Sequence, residues 1–145
     1  MKHFLPRLFA GCLALTLSWA MAADGVTKNQ FLIGQNITLQ GGKNDYGMAV
    51  QDGIQAYLNL INSRGGVNGR QVVLKTLDDD NKSSQAEANA RQLVEQDKAF
   101  ILFGSIEGGP STAVMKAAID LKVPFFGPIA GSPTLRRPHQ PLVFP

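Results

Sequence analysis

The chain has 145 residues, enough for one modest domain. Its 14 basic and 11 acidic residues give a formal charge of +3, but Lys2 and Arg7 fall in an N-terminal leader, so 12 bases face 11 acids beyond it and the charge drops to +1. No basic stripe with interleaved aromatics occurs, which argues against nucleic acid as a partner, and one cysteine (Cys12) with two histidines (His3, His139) leaves no Cys/His set for a metal.

The leader has three parts. Lys2 and Arg7 precede an apolar run, Leu8 to Trp19, and Ala20-Met21-Ala22 supplies the small residues of a cleavage site. This pattern predicts a secretory signal over residues 1–22, cut after Ala22 (or, as second choice, after Ala23), and a mature chain of residues 23–145 exported to an oxidising compartment. The apolar run is too short for a good membrane span. Phe9-Ala10-Gly11-Cys12 has the look of a lipoprotein box, but it comes too early in the run to be used as one. With Cys12 and His3 removed, no disulfide is expected. The remaining His139 lies in a proline-rich tail, which argues against a Ser-His-Asp triad.

Phe31 to Ile37 is the first strand candidate, apolar at its start as a buried parallel strand would be. The loop Leu39 to Asp45 leads to a helix over Gly47 to Ser63, in which Val50, Ile54, Tyr57, Leu58 and Ile61 share one face. Arg64-Gly65-Gly66-Val67-Asn68-Gly69-Arg70 ends it with a glycine cap and a tight turn. Val72 to Leu77 is the second strand, closed by Asp78-Asp79-Asp80. The second helix has Ser84 and Glu87 at capping-box spacing and Ala86, Ala90, Leu93 and Val94 on its inner side. Phe100 to Phe103 is strand three. A glycine-rich corner, Gly104 to Gly109, then leads to a third helix opening at Pro110, where the missing N–H costs nothing, with Val114, Ala117, Ala118 and Leu121 inward. Pro124 to Gly127 is strand four, Pro128 to Pro133 its loop, and Leu142-Val143-Phe144 another strand start.

Strands alternating with helices predict an α/β fold, an open parallel sheet with helices on both faces. Ligands bind such sheets beyond the carboxyl ends of the strands, where the strand order reverses. Three loops meet there: Leu39–Asp45, Gly104–Gly109 and Pro128–Ser132. The Gly104–Gly109 corner is either a tight turn or an anion cradle of backbone N–H groups at a helix start. It lacks the Lys-Ser/Thr of a phosphate loop and the glycine spacing of a dinucleotide site. Asp78–Asp80 is either a carboxylate turn beside a helix N-terminus or a Mg²⁺/Ca²⁺ or phosphoacceptor site, the turn being favoured. Tyr46 is either a helix-start staple or a pocket wall.

Taken together, Ile33-Gly34-Gln35, Leu39-Gln40-Gly41, Tyr46-Gly47, Ile61 to Arg70, Asp78-Asp79, Phe103-Gly104, Val123 to Phe126 and Leu135-Arg136 give the mature chain a resemblance to a known family. It resembles the N-terminal part of the periplasmic solute-binding proteins of the branched-chain amino acid type, which serve ABC importers. The resemblance implies the first lobe, incomplete, of a type I periplasmic-binding-protein clamshell, with the second lobe absent. It implies a protein without catalytic residues, metal or cofactor, which binds an amino acid or a related small amide or carboxylate and delivers it to an ABC permease in the inner membrane. It also implies that the loop after strand three and the next helix start (Ile106, Gly108, Gly109) hold the ligand's carboxylate. The loop after strand four (Ile129, Ala130, Gly131) faces its ammonium, and Tyr46 lines the pocket. Two positions depart from the pattern: Gly108 and Gly131 stand where the family often carries hydroxyls, and Ser111 or Thr112 is expected to substitute. The departure favours larger ligands, amides or aromatic acids over a plain α-amino acid. A single lobe is expected to bind weakly or not at all. The alternatives are the ligand-sensing domain of a signalling protein and, less favoured, a metal-dependent enzyme built on Asp78–Asp80.

Overall fold

The computed structural model describes residues 25–41 and 44–145, so the expected signal and its cleavage point lie outside the described residues. Among the described residues, one sheet holds five strands: β1 (Gln30–Ile37), β2 (Gln71–Asp78), β3 (Ile101–Phe103), β4 (Phe125–Phe126) and β5 (Val143–Phe144). All neighbours are parallel, in the order β2-β1-β3-β4-β5. The order reverses between β1 and β3, and that is where the expected ligand loops converge. Three helices connect the strands: α1 (Asn44–Ser63), α2 (Ser83–Arg91) and α3 (Gly108–Leu121). The last turn before β3, Gln92–Gln96, is π-helical.

Strand alternation sends the side chains of β1 to opposite faces. Gly34 faces the π-helical turn, where an added Cβ would stand 3.0 Å from both Leu93 Cβ and Ala99 Cβ. Its lack of a side chain is what lets that turn lie close against the sheet. On this side α2 and α3 form the main core with Ala86, Ala90, Leu93, Leu102, Val114, Ala117, Ala118 and Phe125, all buried. The predicted inner faces of both helices are therefore as expected, except for half-buried Val94 and Leu121. Lys75 of β2 also ties down the segment after the π-helical turn, by an ion pair to Asp97 at 2.6 Å.

Among the described residues the opposite face carries only α1. Its Val50, Ile54, Tyr57 and Leu58 line an open apolar groove of about 590 Å³ with Ile33, Leu74, Ile101, Phe103 and Phe126. The predicted face of α1 does point at the sheet, yet Tyr57 is 62 % exposed, because no further element covers the groove among the described residues. Asn62, near the end of α1, clips the outer edge of β2. Its amide donates to Val72 O (2.8 Å) and its carbonyl accepts from Val72 N (2.8 Å), imitating one rung of a neighbouring strand.

Two helix starts differ from expectation. Ser84 and Glu87 form no capping box: α2 begins at Ser83 behind Lys82, without a side-chain cap. The helix is entered through a backbone turn, in which the Asp79 carbonyl accepts from the Lys82 N–H (2.8 Å) and Asp80 and Asn81 take left-handed φ. Glu87 is left to pair with Arg91 at 3.0 Å, and Arg91 reaches on to Asp120 of α3 at 2.9 Å. In α3, the helix starts at Gly108 rather than Pro110, so Gly108 and Gly109 of the corner belong to its first turn.

Candidate functional site

The first wall of the mouth follows β1. Thr38 and Asn36 are buried and donate to the two carboxylate oxygens of Asp79, at 2.6 and 2.7 Å. Asn81 N–H adds a third bond to Asp79 Oδ1 (2.9 Å), and Asn89 of α2 donates to Asn36 Oδ1 (2.9 Å). The fully buried Asp79 carboxylate is thus committed to holding the ends of β1 and β2 together. Asp78 does similar work nearer solvent. Burial opposes its ionisation, but the backbone N–H groups of Leu39, Asp80 and Gln40 and the Gln40 side chain outweigh it, so the carboxyl is held below its ordinary range. Asp80 pairs with Lys82. These carboxylates serve a turn, the reading favoured from the sequence. Among the described residues no cluster of three or more His, Cys, Asp or Glu could hold a metal.

The start of α1 passes directly over the end of β1. A Cβ on Gly47 would lie 1.8 Å from Thr38 O and 3.2 Å from Ile106 Cδ1, so only glycine fits there. That close approach sets Tyr46 at the rim, 48 % exposed.

The second wall is the corner after β3. Gly104 and Ser105 both take positive φ, 80° and 79°, and at Ser105 this is a strained conformation for a residue with a side chain. Ser105 is fully buried. Its hydroxyl accepts from Ser111 Oγ (2.9 Å), and its carbonyl accepts from Ile129 N–H (2.8 Å). One residue thereby locks together β3, the start of α3 and the loop after β4. Behind it Ile106 is buried. The first bond of α3 runs from Ser111 N–H to Glu107 O at 2.8 Å, so the N–H groups of Gly108 and Gly109 at the helix start have no place in the helical ladder.

The third wall, after β4, presents exposed Ile129, buried Ala130 and exposed Gly131. A Cβ on Gly108 would approach Ser132 Cβ to 3.9 Å, which places this loop beside the start of α3. A chain of hydroxyls closes the rim: Ser132 Oγ to Thr134 Oγ1 (2.7 Å), Thr134 Oγ1 to Thr112 Oγ1 (3.2 Å), and Thr112 Oγ1 donating to Gly108 O (2.8 Å).

Ile106, Gly108, Gly109, Ser111, Ile129, Ala130 and Gly131 therefore lie on two loops tied to each other, with Tyr46 on the helix that starts beside Ile106. Ser111 sits beneath the surface with its hydroxyl bonded to Ser105, whereas Thr112 stands at the rim. Ser105 and the Ser132–Thr134 pair had no signal in composition or spacing. A residue that follows Gly104 at a strand end was the one available hint for Ser105. The arrangement offers helix-start N–H groups, neutral hydroxyls and loop carbonyls: equipment for holding a small polar molecule.

Residues 31–145 match the family described as periplasmic binding protein. The Leu/Ile/Val-binding protein BraC3 of Rhizobium johnstonii is 28 % identical over 125 residues, covering 86 % of this chain and 34 % of that protein. An amino acid binding protein of Pseudomonas aeruginosa is 33 % identical over 94 residues, 65 % of this chain and 25 % of that one. Among solved structures, a substrate-binding periplasmic protein from Ralstonia solanacearum superposes with a TM-score of 0.72 at 28 % identity, over 79 % of this chain and 32 % of that chain. The branched-chain amino acid transporter substrate binding protein LivJ of Streptococcus pneumoniae, in complex with isoleucine, gives 0.65 at 28 % identity, over 72 % and 29 %. The chain thus spans about a third of the length of the curated Leu/Ile/Val-binding relative. Its parallel sheet with flanking helices is the N-terminal part of the type I binding-protein fold.

Proposed function

On the premise that this chain belongs to the periplasmic binding protein family, we propose that it is the first lobe of an extracytoplasmic solute receptor feeding an ABC importer. It binds a small amino-acid-like or carboxylate-bearing molecule without chemistry. The observation that carries the reading is the pairing of the α3 start with the loop after β4 through Ser105, at the reversal point of the sheet. In this reading the carboxylate lies on the Gly108 and Gly109 N–H groups, where the helix end is partly positive. Ile129, Ala130 and Gly131 flank the opposite end of the ligand, Tyr46 lies along one side, and Thr112 supplies a rim hydroxyl. A membrane permease receives the ligand from the complete receptor. The leader over residues 1–22 is the export signal of this reading.

Thermal-shift measurements against amino acids, their amides and aromatic acids test it. A ligand present at one hundred times its Kd stabilises the folded state by about 2.7 kcal/mol. Stabilisation by at least one of these classes is expected, and none by any of them would remove the solute-binding reading.

A further inference from the structure

Arg136 follows the single 3₁₀ turn Pro133–Leu135 and folds back over the loop after β4. Its Nη1 donates to Ala130 O at 3.2 Å and to Ser132 O at 3.4 Å. A guanidinium is therefore seated on the carbonyls of the loop that would otherwise receive a ligand's ammonium. The second wall contributes the start of α3, with the N–H groups of Gly108 and Gly109 at its partly positive end. Glu107 is the N-cap residue of that same helix, while Asp45, Asp78, Asp79 and Asp80 lie at the start of α1 and in the turn after β2; the charge bonded to the Ala130 loop is that of Arg136.

The two glycines of the mouth point the same way. A Cβ on Gly131 would meet nothing within 4 Å, and one on Gly108 only Ser132 Cβ at 3.9 Å. Neither has the left-handed φ that would require glycine. Packing and backbone would admit side chains at both positions, so the open space belongs to whatever fills the mouth.

We propose that Arg136 sets the ligand class: the site takes a small organic acid, a carboxylate without an α-ammonium group, in preference to the corresponding amino acid. This rests on the solute-binding reading above and narrows it. An ammonium brought to Ala130 O would share that carbonyl with a like charge at hydrogen-bond range, whereas a carboxylate meets the Arg136 charge on one side and the helix-start N–H groups on the other. Arg136 is exposed, so the preference is moderate and weakens with salt.

The test is a titration of the ¹⁵N-labelled protein with three probes that differ in one group each: 4-methylpentanoate, leucine and 3-methylbutylamine. The amide signals of Gly108, Gly109 and Ile129 to Gly131 report the site. The expected result is a Kd for 4-methylpentanoate about tenfold below that for leucine, with the amine weakest. In Arg136→Gln the ratio should fall toward one, and in Arg136→Lys, which keeps the charge, it should persist. Leucine binding as tightly as its deaminated analogue, or a ratio unmoved in Arg136→Gln, would overturn the inference while leaving solute binding intact. No shift with any probe would overturn both.

Discussion

The two faces of the sheet solve the problem of burial differently. Under α2 and α3 the core is made of small and medium side chains, with Ala86, Ala90, Leu93, Ala117 and Phe125 at zero exposure. Across the sheet, β3, β4 and β5 present a row of rings to α1's side: Phe103 stacks on Phe126 at 6.3 Å, and Phe126 tilts against Phe144 at 6.5 Å. Phe126 and Phe144 remain 52 % and 49 % exposed. Neighbouring residues of one two-residue strand, Phe125 and Phe126, thus have the same chemistry and opposite fates. The difference teaches where the fold's stability resides: in the α2/α3 layer, which also carries the start of α3 and with it the mouth of the site.

The largest effect should therefore follow from Phe125→Ala. The side chain is fully buried in the core that α2 and α3 share, and truncation leaves a cavity, with an expected loss of about 3–5 kcal/mol in urea unfolding. Amides at the start of α3 should lose protection from hydrogen exchange along with the core, since both depend on one layer. A loss under about 1 kcal/mol would mean that the α2/α3 layer is not the stabilising one.

That layering was legible from sequence to an instructive degree. A parallel sheet with helices on both faces follows from β-α alternation, and the periodicities of α2 and α3 marked true inner faces. The pattern on α1 was equally regular, but periodicity records what a helix could bury, not whether anything arrives to cover it; Tyr57 shows the gap. The positions of the mouth were legible through spacing and resemblance, because Gly108 and Gly131 sit at fixed distances from strand ends. What joins them was not. Ser105 acts through a left-handed backbone and a hydroxyl bond to a residue six positions on, and a lone serine in sequence announces neither. The capping box failed for a related reason: the left-handed turn at Asp80 and Asn81 leads into α2 one residue before Ser84 and leaves Lys82 at the N-cap position.

A smaller effect is expected at the rim between the layers. Asp78 accepts from Leu39 N–H at 2.9 Å and Asp80 N–H at 3.0 Å, so its folded carboxyl titrates below its ordinary value of 3.8. A depressed carboxylate contributes stability that is fully present above the unfolded pKa and disappears as pH falls through the folded one. Asp78→Asn keeps the Oδ1 acceptor but replaces the charge and the second acceptor oxygen by an NH2 group, so at pH 7 it should cost about 1 kcal/mol, discounted for partial exposure. The gap between wild type and variant should close as pH is lowered below about 4. A gap that widened on acidification would reverse the assigned direction.

The smallest effect should come from the ring beside the largest. Phe126→Ser removes a side chain that is already half in water, so little burial is lost beyond its contacts with Phe103 and Phe144. The expected cost is under about 1 kcal/mol. Binding of a hydrophobic dye should fall at the same time, because the variant breaks the exposed aromatic row. The two mutants calibrate each other: same strand, same residue type, same measurement. Should Phe126→Ser cost as much as Phe125→Ala, then Phe126 is buried in solution, and the groove beside α1 is occupied there. A concentration-dependent melting temperature would then assign the cover to a second copy, and a concentration-independent one to contacts within the chain.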